Sequence, residues 1–382
     1  MSLRFELSPG PPSGSRGLGA RRGRLHLVRG VVETPAFMPV GTQATVKTLT
    51  PEEVRSTGAR IILANTYHLY LRPGHERVRR LGGLHRFMAW DGPILTDSGG
   101  YQVFSLARLN KIDDAGVAFQ SHLDGSRHFF TPELAIQVQL ALGSDIMMPL
   151  DTMTPYPSEY ARAVRDLERT TRWAAAGRRV WLEEGGGQGN LFGIVQGGTF
   201  ADLRRESAEQ LVALDLPGYA VGGLAVGEPL ELGLEILERT LPHLPPERPR
   251  YLMGVGRPQD ILEAVARGVD LFDCVLPTRN ARKGSVFTSR GKLVVKNARY
   301  AEDPRPLDPD CGCPVCRTYS RAYLRHLFAA GEILAMRLAT LHSLHYYEAL
   351  MEEIRRSIEA GTFPRFRQDV LRKLAAGSGD ES

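Results

Sequence analysis

Seven short apolar segments recur along the chain, and each ends at a glycine or at a polar residue capable of chemistry. They are residues 61–64, 93–96, 146–150, 191–195, 219–221, 251–253 and 271–272, and the residues that follow them include Asp97, Asp151, Gln196, Gly222, Gly223, Gly254 and Asp273. Most have the length and uniform apolar character of strands buried in a parallel sheet. Helical patterns that begin near residues 157, 201, 231 and 260 separate several of the segments. This alternation predicts a parallel α/β sheet, either open and doubly wound or closed into a barrel.

An eighth segment, residues 293–295, favours the closed barrel, because TIM barrels contain eight strands. The predicted fold is α/β, a (β/α)8 TIM barrel with insertions and a C-terminal zinc-binding subdomain. Catalytic residues of that fold gather at the carboxyl ends of the strands. For any single segment, the polar residue at its end is better interpreted as the start of a loop than as part of an active site. The recurrence in all of them points to one shared active-site rim.

The length of 382 residues exceeds the ~250 typical of a bare barrel and leaves room for insertions. We expect a catalytic barrel over residues 1–290, with N-terminal and 98–130 insertions. A basic zinc-binding subdomain over 291–345 and a C-terminal helix with a frayed tail over 346–382 would follow. Residues 116–130 predict a hairpin with AspGly at its turn. Since neither a membrane-spanning stretch nor the apolar core of a signal peptide is present, we expect a cytoplasmic protein.

The positive charge is concentrated in one segment, although the whole chain carries a formal net charge of only +5. From Arg279 to Arg325 there are eleven Lys or Arg residues against four Asp or Glu, a surplus of seven. A basic patch beside an active site indicates a phosphate-rich partner. A solvated charged surface is the alternative, and the preference for Arg over Lys can equally reflect genomic base composition.

Three of the four cysteines form a CxCxxC cluster at Cys311, Cys313 and Cys316. In a reducing compartment such a cluster is a poor disulfide set, but its thiolates can bind one tetrahedral zinc ion with a fourth ligand. The nearby candidates for that ligand are His342, His345 and His326. Three thiolates and a histidine close the coordination shell, so the metal is predicted to be structural. The sequence contains no clear phosphate-binding loop, so it does not indicate a nucleotide or redox cofactor.

Longer motifs suggest a family. They are DSGGYQ at 97–102, SHLDGSR at 121–127, GSDI at 143–146, FGIVQG at 192–197, AVGGLAVGE at 220–228, YLMGVG at 251–256 and DCVLPTR at 273–279, together with the CxCxxC cluster. In order and from about Leu3 to about Phe366, the chain closely resembles the bacterial tRNA-guanine transglycosylases. The resemblance implies that guanine at the anticodon wobble position is exchanged for 7-aminomethyl-7-deazaguanine (preQ1), the queuosine precursor, in the tRNAs for Asp, Asn, His and Tyr, which share a UGU core.

The resemblance also assigns the two acids. Asp273 matches the nucleophile that traps the ribose as a covalent glycosyl-enzyme intermediate, as in retaining glycosidases. Asp97 matches the general acid/base that handles the proton of the leaving or entering base.

The base pocket implied by the resemblance has a flat slot and a polar edge. Tyr101 and Met253 match the residues that sandwich the base, and Asp151 matches the acceptor for its N1 and N2 hydrogens. Gln196 and the Gly223 amide match the donors to O6. The remaining substrate-binding residues are Ser98, Gly99 and Gly100, the flipping peptide of Leu224 and Ala225, and Glu228, which stabilises both orientations of that peptide.

Two segments match the family's RNA-contacting residues. They are Gly254, Val255, Gly256, Arg257, Pro258, Gln259 and Asp260, and Thr278, Arg279, Asn280, Ala281 and Arg282. His342 occupies the family's fourth zinc position, with His345 one helical turn later as the competing choice, and a homodimer is implied. The chain has Thr152 and Met153 where family members commonly carry Glu and Cys after the recognition aspartate, and Met153 could change affinity or packing in the pocket.

Three rival functions remain. A barrel glycosidase would share the paired aspartates without needing a zinc-bound basic surface. A noncatalytic tRNA-binding relative would be expected to lack the catalytic aspartates. An archaeosine-type enzyme usually carries additional C-terminal RNA-binding domains, for which no room follows the zinc region.

Overall fold

The computed structural model describes residues 3–8, 19–106 and 110–377. The strands, in chain order, are β1 (Arg4–Leu7), β2 (Gly23–Leu27), β3 (Gly30–Thr34), β4 (Ala36–Pro39), β5 (Ile62–Ala64), β6 (Ile94–Thr96), β7 (Asn110–Ile112), β8 (Val117–Gln120), β9 (Arg127–Phe130), β10 (Ile146–Met147), β11 (Asn190–Val195), β12 (Gly218–Val221), β13 (Arg250–Leu252), β14 (Leu271–Cys274), β15 (Ser285–Thr288) and β16 (Gly291–Val294).

Helices surround these strands and form most of the C-terminal region. They are α1 (Pro51–Ser56), α2 (Thr66–Leu71), α3 (His75–Arg80), α4 (Gly83–Met88), α5 (Gly100–Leu106), α6 (Pro132–Leu142), α7 (Tyr160–Glu183), α8 (Ala201–Val212), α9 (Leu230–Thr240), α10 (Pro258–Ala266), α11 (Leu276–Arg282), α12 (Pro314–Thr318), α13 (Arg321–Ala329), α14 (Ile333–Glu359) and α15 (Phe363–Gly377). The four helical patterns of the sequence correspond to α7, α8, α9 and α10. None of the helices in the described ranges has both the length and the apolar character that a membrane crossing requires.

An eight-stranded parallel sheet forms the centre of the molecule, in the order β4-β14-β13-β12-β11-β10-β6-β5. Its two edges meet where Val40, just after β4, pairs with Leu63 of β5. The Gly41 amide donates to the Leu63 carbonyl across this junction at 2.6 Å. The predicted TIM barrel is therefore confirmed, and all seven apolar segments supply barrel strands.

The prediction of the eighth strand was wrong. Residues 293–295 overlap β16, which pairs antiparallel with β15 in a separate hairpin. Burial alternates along β16, as in a half-exposed ribbon, whereas every residue of β4 is buried. The eighth barrel strand is β4, parallel to β14. Pro35 and Pro39 make this segment look unlike a strand, because proline cannot donate to a ladder of hydrogen bonds.

The amino end of the barrel is closed by an antiparallel sheet of β1, β2 and β3. Leu3, Leu25 and Val32 of this region join one apolar cluster with barrel residues such as Ile146 and Phe192. The Leu3 amide also donates to the Asn190 side chain at the start of β11, at 2.8 Å. Access to the interior is therefore left to the carboxyl ends of the strands.

The hairpin predicted after Asp97 is present. β8 pairs with β9 in the register Gln120 to Arg127, and β7 adds a third strand. The Asp124 carboxylate accepts the Ser126 amide at 3.1 Å within the connecting loop, which contains the AspGly pair. Residues 107–109 of the expected insertion lie outside the described residues, as do residues 9–18 and 378–382. The expected frayed tail, residues 377–382, is therefore described only at Gly377, which ends α15.

The C-terminal region is held against the barrel by the long helix α14. This helix contacts α11, α12, α13, β15 and barrel strand β4. The rings of Phe37 in β4 and Tyr347 in α14 lie 4.8 Å apart, and Tyr347 is fully buried. The expected division at residue 345 falls inside α14, so one continuous helix runs through both parts.

Candidate active site

A cavity of about 880 Å³ opens at the carboxyl end of the barrel. Asp97 follows β6, Asp273 belongs to β14, and both line this single cavity. The residues of the expected base pocket that also line it are Ser98, Tyr101, Asp151, Gln196, Gly223, Leu224, Ala225, Glu228 and Met253. Closure of the sheet therefore brings together side chains that are far apart in the chain. Gly99 and Gly100 are buried, with Gly99 next to Tyr67 and Gly100 next to Asp151.

Asp273 has one oxygen held by two donors. Its Oδ1 accepts the Tyr251 hydroxyl at 2.6 Å and the Gly254 amide at 2.7 Å. Burial raises the pKa of Asp273, and these two hydrogen bonds oppose the increase. No hydrogen bond from the described residues reaches Oδ2, which leaves that oxygen available to a substrate.

Asp97 is surrounded by donors on both oxygens. Oδ1 accepts the Thr66 amide at 2.8 Å, while Oδ2 accepts the side-chain amides of Gln102, at 2.8 Å, and Asn65. Burial raises the pKa of Asp97 to about 6, with a further contribution from the negative charge of Asp273. A carboxyl group with this pKa can give up or take a proton near neutral pH, as a general acid/base requires.

Asp151 is oriented by two polar neighbours at the base of the cavity. The Ser98 hydroxyl donates to Oδ1 at 3.2 Å, and Gln196 Nε2 donates to Oδ2 at 2.8 Å. Burial raises the pKa of Asp151. Gln196 Oε1 is buried and has no hydrogen-bond partner among the described residues. Asp151 and Gln196 therefore form one polar edge whose groups retain capacity for a ligand.

The loop after β12 has a backbone conformation that depends on small residues. At Gly223 the φ angle is +65°, and a Cβ atom would lie 2.4 Å from Gln196 Oε1, so a side chain is excluded. Ala225 has a φ of +59°, which for a residue other than glycine stores about 1 kcal/mol or more of strain.

Glu228 holds the peptide that joins Leu224 to Ala225. The Ala225 amide donates to Glu228 Oε1 at 2.5 Å, and the Val226 amide donates to Oε2 at 3.0 Å. Because N–H and C=O point in opposite directions in a trans peptide, the Leu224 carbonyl points away from Glu228.

Tyr101 and Met253 line the cavity from different elements. Tyr101 lies near the start of α5 with 59% of its surface exposed, whereas Met253, which follows β13, is partly buried. Met153, the departure from the family pattern, lines the same cavity and is also partly buried.

Sequence reasoning missed several residues that position the acids, notably Asn65, Gln102 and Tyr251. Asn65 directly follows the first apolar segment, so the rule that identified Asp97 applied to it as well. Tyr251 lies in a buried strand, where a tyrosine hydroxyl normally needs a polar partner.

The two expected RNA-contacting segments are only partly exposed. Gly254, Arg257 and Arg279 are exposed, and the two arginines line the cavity. Gln259, Asp260, Asn280 and Arg282 are partly buried. The buried members are Val255, Gly256, Pro258, Thr278 and Ala281. None of these five residues therefore presents a side chain at the surface.

The three clustered cysteines meet one histidine. The ligand atoms of Cys311, Cys313, Cys316 and His342 all lie within 4.8 Å of one another. His342 Nδ1 is 3.6 Å from Cys313 Sγ and 3.3 Å from Cys316 Sγ. The group could hold a metal ion.

The other ring nitrogen of His342 distinguishes it from the two competing histidines. Nε2 lies 3.1 Å from the Phe287 carbonyl, the arrangement that commonly orients a metal-bound imidazole. His345 Nδ1 lies 3.7 Å from Cys311 Sγ, beside the group, and His326 is exposed on α13.

Comparisons with known proteins cover nearly the whole chain. A family model described as queuine tRNA-ribosyltransferase matches residues 16–376. A protein named queuine tRNA-ribosyltransferase from Pelotomaculum thermopropionicum is 62% identical over 355 residues, covering 93% of this chain and 95% of the relative. Proteins with the same name from Symbiobacterium thermophilum and Desulforudis audaxviator are 58% and 61% identical, covering 100% and 92% of this chain and 94% of each relative. The matched region includes the cavity residues and the cysteine–histidine group.

Proposed function

The chain belongs to the queuine tRNA-ribosyltransferase family, and we propose that it exchanges guanine at wobble position 34 of the tRNAs for Asp, Asn, His and Tyr for preQ1 through a covalent intermediate. Guanine exchange in tRNA during queuosine synthesis is the activity of the family. The observation that carries the proposal is the pair Asp97 and Asp273 in one cavity, the first with a pKa near 6 and the second with an open oxygen.

The first half-reaction breaks the bond between ribose and guanine. Asp273 Oδ2 attacks C1′, the electron pair of the C1′–N9 bond moves to guanine, and protonated Asp97 supplies the proton that the departing base needs. The products are free guanine and a ribosyl ester on Asp273.

The second half-reaction reverses these roles. Asp97, now a carboxylate, takes the N9 proton of preQ1 while N9 attacks C1′ and the ester bond to Asp273 breaks. Two inversions at C1′ retain the original configuration, as in retaining glycosidases. Exchange without hydrolysis requires that the bound base keeps water from C1′ between the two steps.

Base selection follows from the polar edge of the pocket. The Asp151 carboxylate accepts the N1 and N2 hydrogens of guanine or preQ1, while Gln196 Nε2 and the Gly223 amide donate to O6. Adenine carries an amino group, which is a donor, at position 6, so the donors of Gln196 and Gly223 would face another donor. Each buried group left unpaired would cost about 1–3 kcal/mol. Tyr101 and Met253 cover the two faces of the base.

Position 7 distinguishes the two substrates, because guanine has an acceptor nitrogen there and preQ1 carries an ammonium group. With the Ala225 amide on Glu228, the Leu224 carbonyl is free to accept from the ammonium. The reversed peptide would present its N–H to the guanine nitrogen. The strained φ of Ala225 supports a peptide that has two accessible orientations.

The cysteine–histidine group fits zinc, which prefers four sulfur and nitrogen ligands in tetrahedral geometry. Cys311, Cys313, Cys316 and His342 would complete the shell, so the ion would stabilise the C-terminal region and supply no chemistry to the base exchange. We propose the barrel over 1–290, the zinc-binding subdomain over 291–345 and the C-terminal part over 346–382 as its working parts.

The tRNA anticodon loop would lie across the cavity mouth. Arg257 and Arg279 are exposed there, and Arg282 follows on the same helix as Arg279. A splayed single-stranded loop suits this arrangement better than a duplex, because its bases are free to enter the cavity. A homodimer that uses the zinc region, acting in the cytoplasm with tRNA, completes the proposal.

The decisive experiment incubates the protein with labelled guanine and unmodified tRNA for Tyr, then adds unlabelled preQ1. We expect label to enter the tRNA and preQ1 to displace it. A barrel glycosidase would release guanine and leave the label free, and a noncatalytic relative would bind tRNA without incorporation. Either of those outcomes would refute the proposal.

A further inference from the structure

Arg204 of α8 is fully buried and hydrogen-bonds only to backbone carbonyls in the described structure. Its Nε donates to the Gly198 carbonyl at 2.8 Å, and Nη1 donates to Val195 at 3.0 Å and to Gly222 at 2.7 Å. Its Nη2 donates to Gly223 at 3.2 Å. The guanidinium therefore ties together the ends of β11 and β12, immediately before Gln196 and within the loop of the base pocket.

Burying this cation is costly. Burial lowers the pKa of Arg204 to about 9, and no carboxylate of the described residues lies within ion-pair distance, although Glu228 is close enough to oppose the decrease. A buried charge without a paired partner is normally destabilising. What arginine provides here is a planar fork of five donors, four of which reach separate carbonyls.

The consequence for the pocket follows from peptide geometry. The Gly222 carbonyl and the Gly223 amide belong to one trans peptide unit and point in opposite directions. When Arg204 holds the Gly222 carbonyl, the Gly223 N–H is turned away from the guanidinium. This N–H has no acceptor among the described residues, and Gly223 lines the cavity.

The same side chain also holds the next peptide through the Gly223 carbonyl. The two peptides before Leu224 are thus fixed, whereas the Ala225 amide is held by the Glu228 side chain. The boundary between the fixed and the switchable backbone lies at Leu224.

We propose that Arg204 is a positioning residue for base recognition, which holds the Gly223 N–H as a donor to the O6 atom of the bound purine. The inference rests on the proposed function, because it assumes that guanine and preQ1 occupy this pocket. Arg204 itself touches neither the base nor the reacting atoms.

The test compares guanine with 6-thioguanine, which keeps the N1 and N2 hydrogens and replaces O6 by sulfur, a weaker acceptor. Inhibition constants of guanine, 6-thioguanine and preQ1 are measured against the exchange of a labelled base into tRNA. The measurements are made on wild type, Arg204→Gln and Arg204→Lys. A matched control is Arg205→Gln, because Arg205 is the next residue of α8 and is exposed.

We expect Arg204→Gln to reduce the preference for guanine over 6-thioguanine by about fivefold, the equivalent of one neutral hydrogen bond. Arg204→Lys should lose part of the preference for guanine over 6-thioguanine, because one ammonium group cannot reach four carbonyls. The ratio of guanine to preQ1 inhibition constants should stay at the wild-type value, since both bases carry O6. Arg205→Gln should resemble wild type in both ratios.

A purely structural role for Arg204 would weaken guanine and 6-thioguanine by the same factor, and an unchanged preference would overturn the inference. Because the preference is a ratio, it does not depend on the fraction of folded protein. If Arg204→Gln does not fold, Arg204→Lys, which keeps the cation, carries the same test. Failure of wild type to incorporate guanine would instead refute the proposed function.

Discussion

At the residue scale, the two acids of the cavity differ in how many oxygens are free. Both are partly buried near the ends of barrel strands, but Asp97 accepts hydrogen bonds on both oxygens, whereas both donors to Asp273 reach Oδ1. A nucleophile needs an oxygen that can approach C1′, and a general acid/base needs a pKa near the working pH. The surroundings therefore support different roles for two identical side chains, Asp273 as nucleophile and Asp97 as general acid/base.

Replacing Asp273 by Asn should abolish the covalent adduct with tRNA and lower exchange by about 10³-fold or more, because the amide is a very poor nucleophile. The adduct is measured as a denaturation-resistant complex on a gel. If the complex persists in Asp273→Asn, another residue is the nucleophile.

The pKa of Asp97 predicts opposite pH dependences for the two half-reactions. Burial raises this pKa from 3.8 to about 6. Release of guanine needs the protonated form and should slow as pH rises above 6, while attack by preQ1 needs the carboxylate and should accelerate through the same range. Single-turnover measurements of each half-reaction test this, and Asp97→Asn should be about 10²-fold slower or more in both, with the pH dependence lost. Identical pH profiles for the two half-reactions would contradict the assignment.

Tyr251 should control how long the intermediate lasts. Its hydroxyl stabilises the Asp273 carboxylate more than the ester, whose carbonyl oxygen is a weaker acceptor. Tyr251→Phe should therefore slow turnover by about tenfold and increase the fraction of enzyme trapped as adduct. The control is Tyr219→Phe on the adjacent strand β12, which removes a hydroxyl that accepts a hydrogen bond from the Leu216 amide. A smaller adduct fraction in Tyr251→Phe would exclude this role.

At the element scale, α14 connects three parts of the molecule. It supplies His342 to the cysteine–histidine group that could hold a metal ion, and the Tyr347 hydroxyl donates to the Gly256 carbonyl at 2.5 Å, inside an expected RNA-contacting segment. It also packs against α11, which carries Arg279 and Arg282. A change at the cysteine–histidine group can therefore reach the expected RNA-contacting segments through one continuous helix, while the expected base pocket lies on the barrel.

Loss of the metal should accordingly separate tRNA binding from base binding. We expect chelation, or Cys316→Ser, to increase hydrogen exchange over residues 285–345 and to weaken tRNA binding, with free guanine still bound in the barrel. Cys274→Ser, at a buried thiol outside the metal group, should keep the full metal content. Loss of guanine affinity equal to the loss of tRNA affinity would argue against a purely structural ion.

At the scale of the whole molecule, the stabilising apolar contacts and the candidate active site lie at opposite ends of the barrel. The N-terminal sheet closes one end with apolar contacts, and the open end combines the partly buried Asp97 and Asp273 with exposed arginines at the rim. The positive surplus between Arg279 and Arg325 extends from this rim into the C-terminal region. This charge should attract a polyanion to the end of the barrel at which the base is proposed to bind.

Removing a rim arginine should weaken tRNA binding without affecting the free base. For Arg279→Gln we expect a decrease of about 1 in the slope of log K against log salt, as for one lost phosphate contact, and an unchanged inhibition constant for guanine. Arg24→Gln, at an exposed position on β2, should leave the slope unchanged. An unaltered slope in Arg279→Gln would remove this residue from the RNA surface.

Local patterns in the chain were sufficient to predict seven barrel strands and the positions of Asp97 and Asp273 at strand ends. The spacing of the cysteines was likewise sufficient to predict that their thiolates cluster. Each of these depends on neighbouring residues, because burial on both faces of a parallel strand requires a continuous apolar run, and three nearby thiolates can reach one ion. The proline-flanked β4 carries too weak a local signal, and its place was decided by pairing with β14 and by closure onto β5.

The sequence by itself thus determined which acids the site contains, while the tertiary structure decided what each of them experiences. The open oxygen of Asp273, the raised pKa of Asp97 and the hold of Arg204 on Gly222 all depend on burial and on donors distant along the chain. The choice of His342 at the metal group depends likewise on the Phe287 carbonyl. Desolvation and long-range hydrogen bonds exist only once the barrel has closed, so no local pattern can specify them.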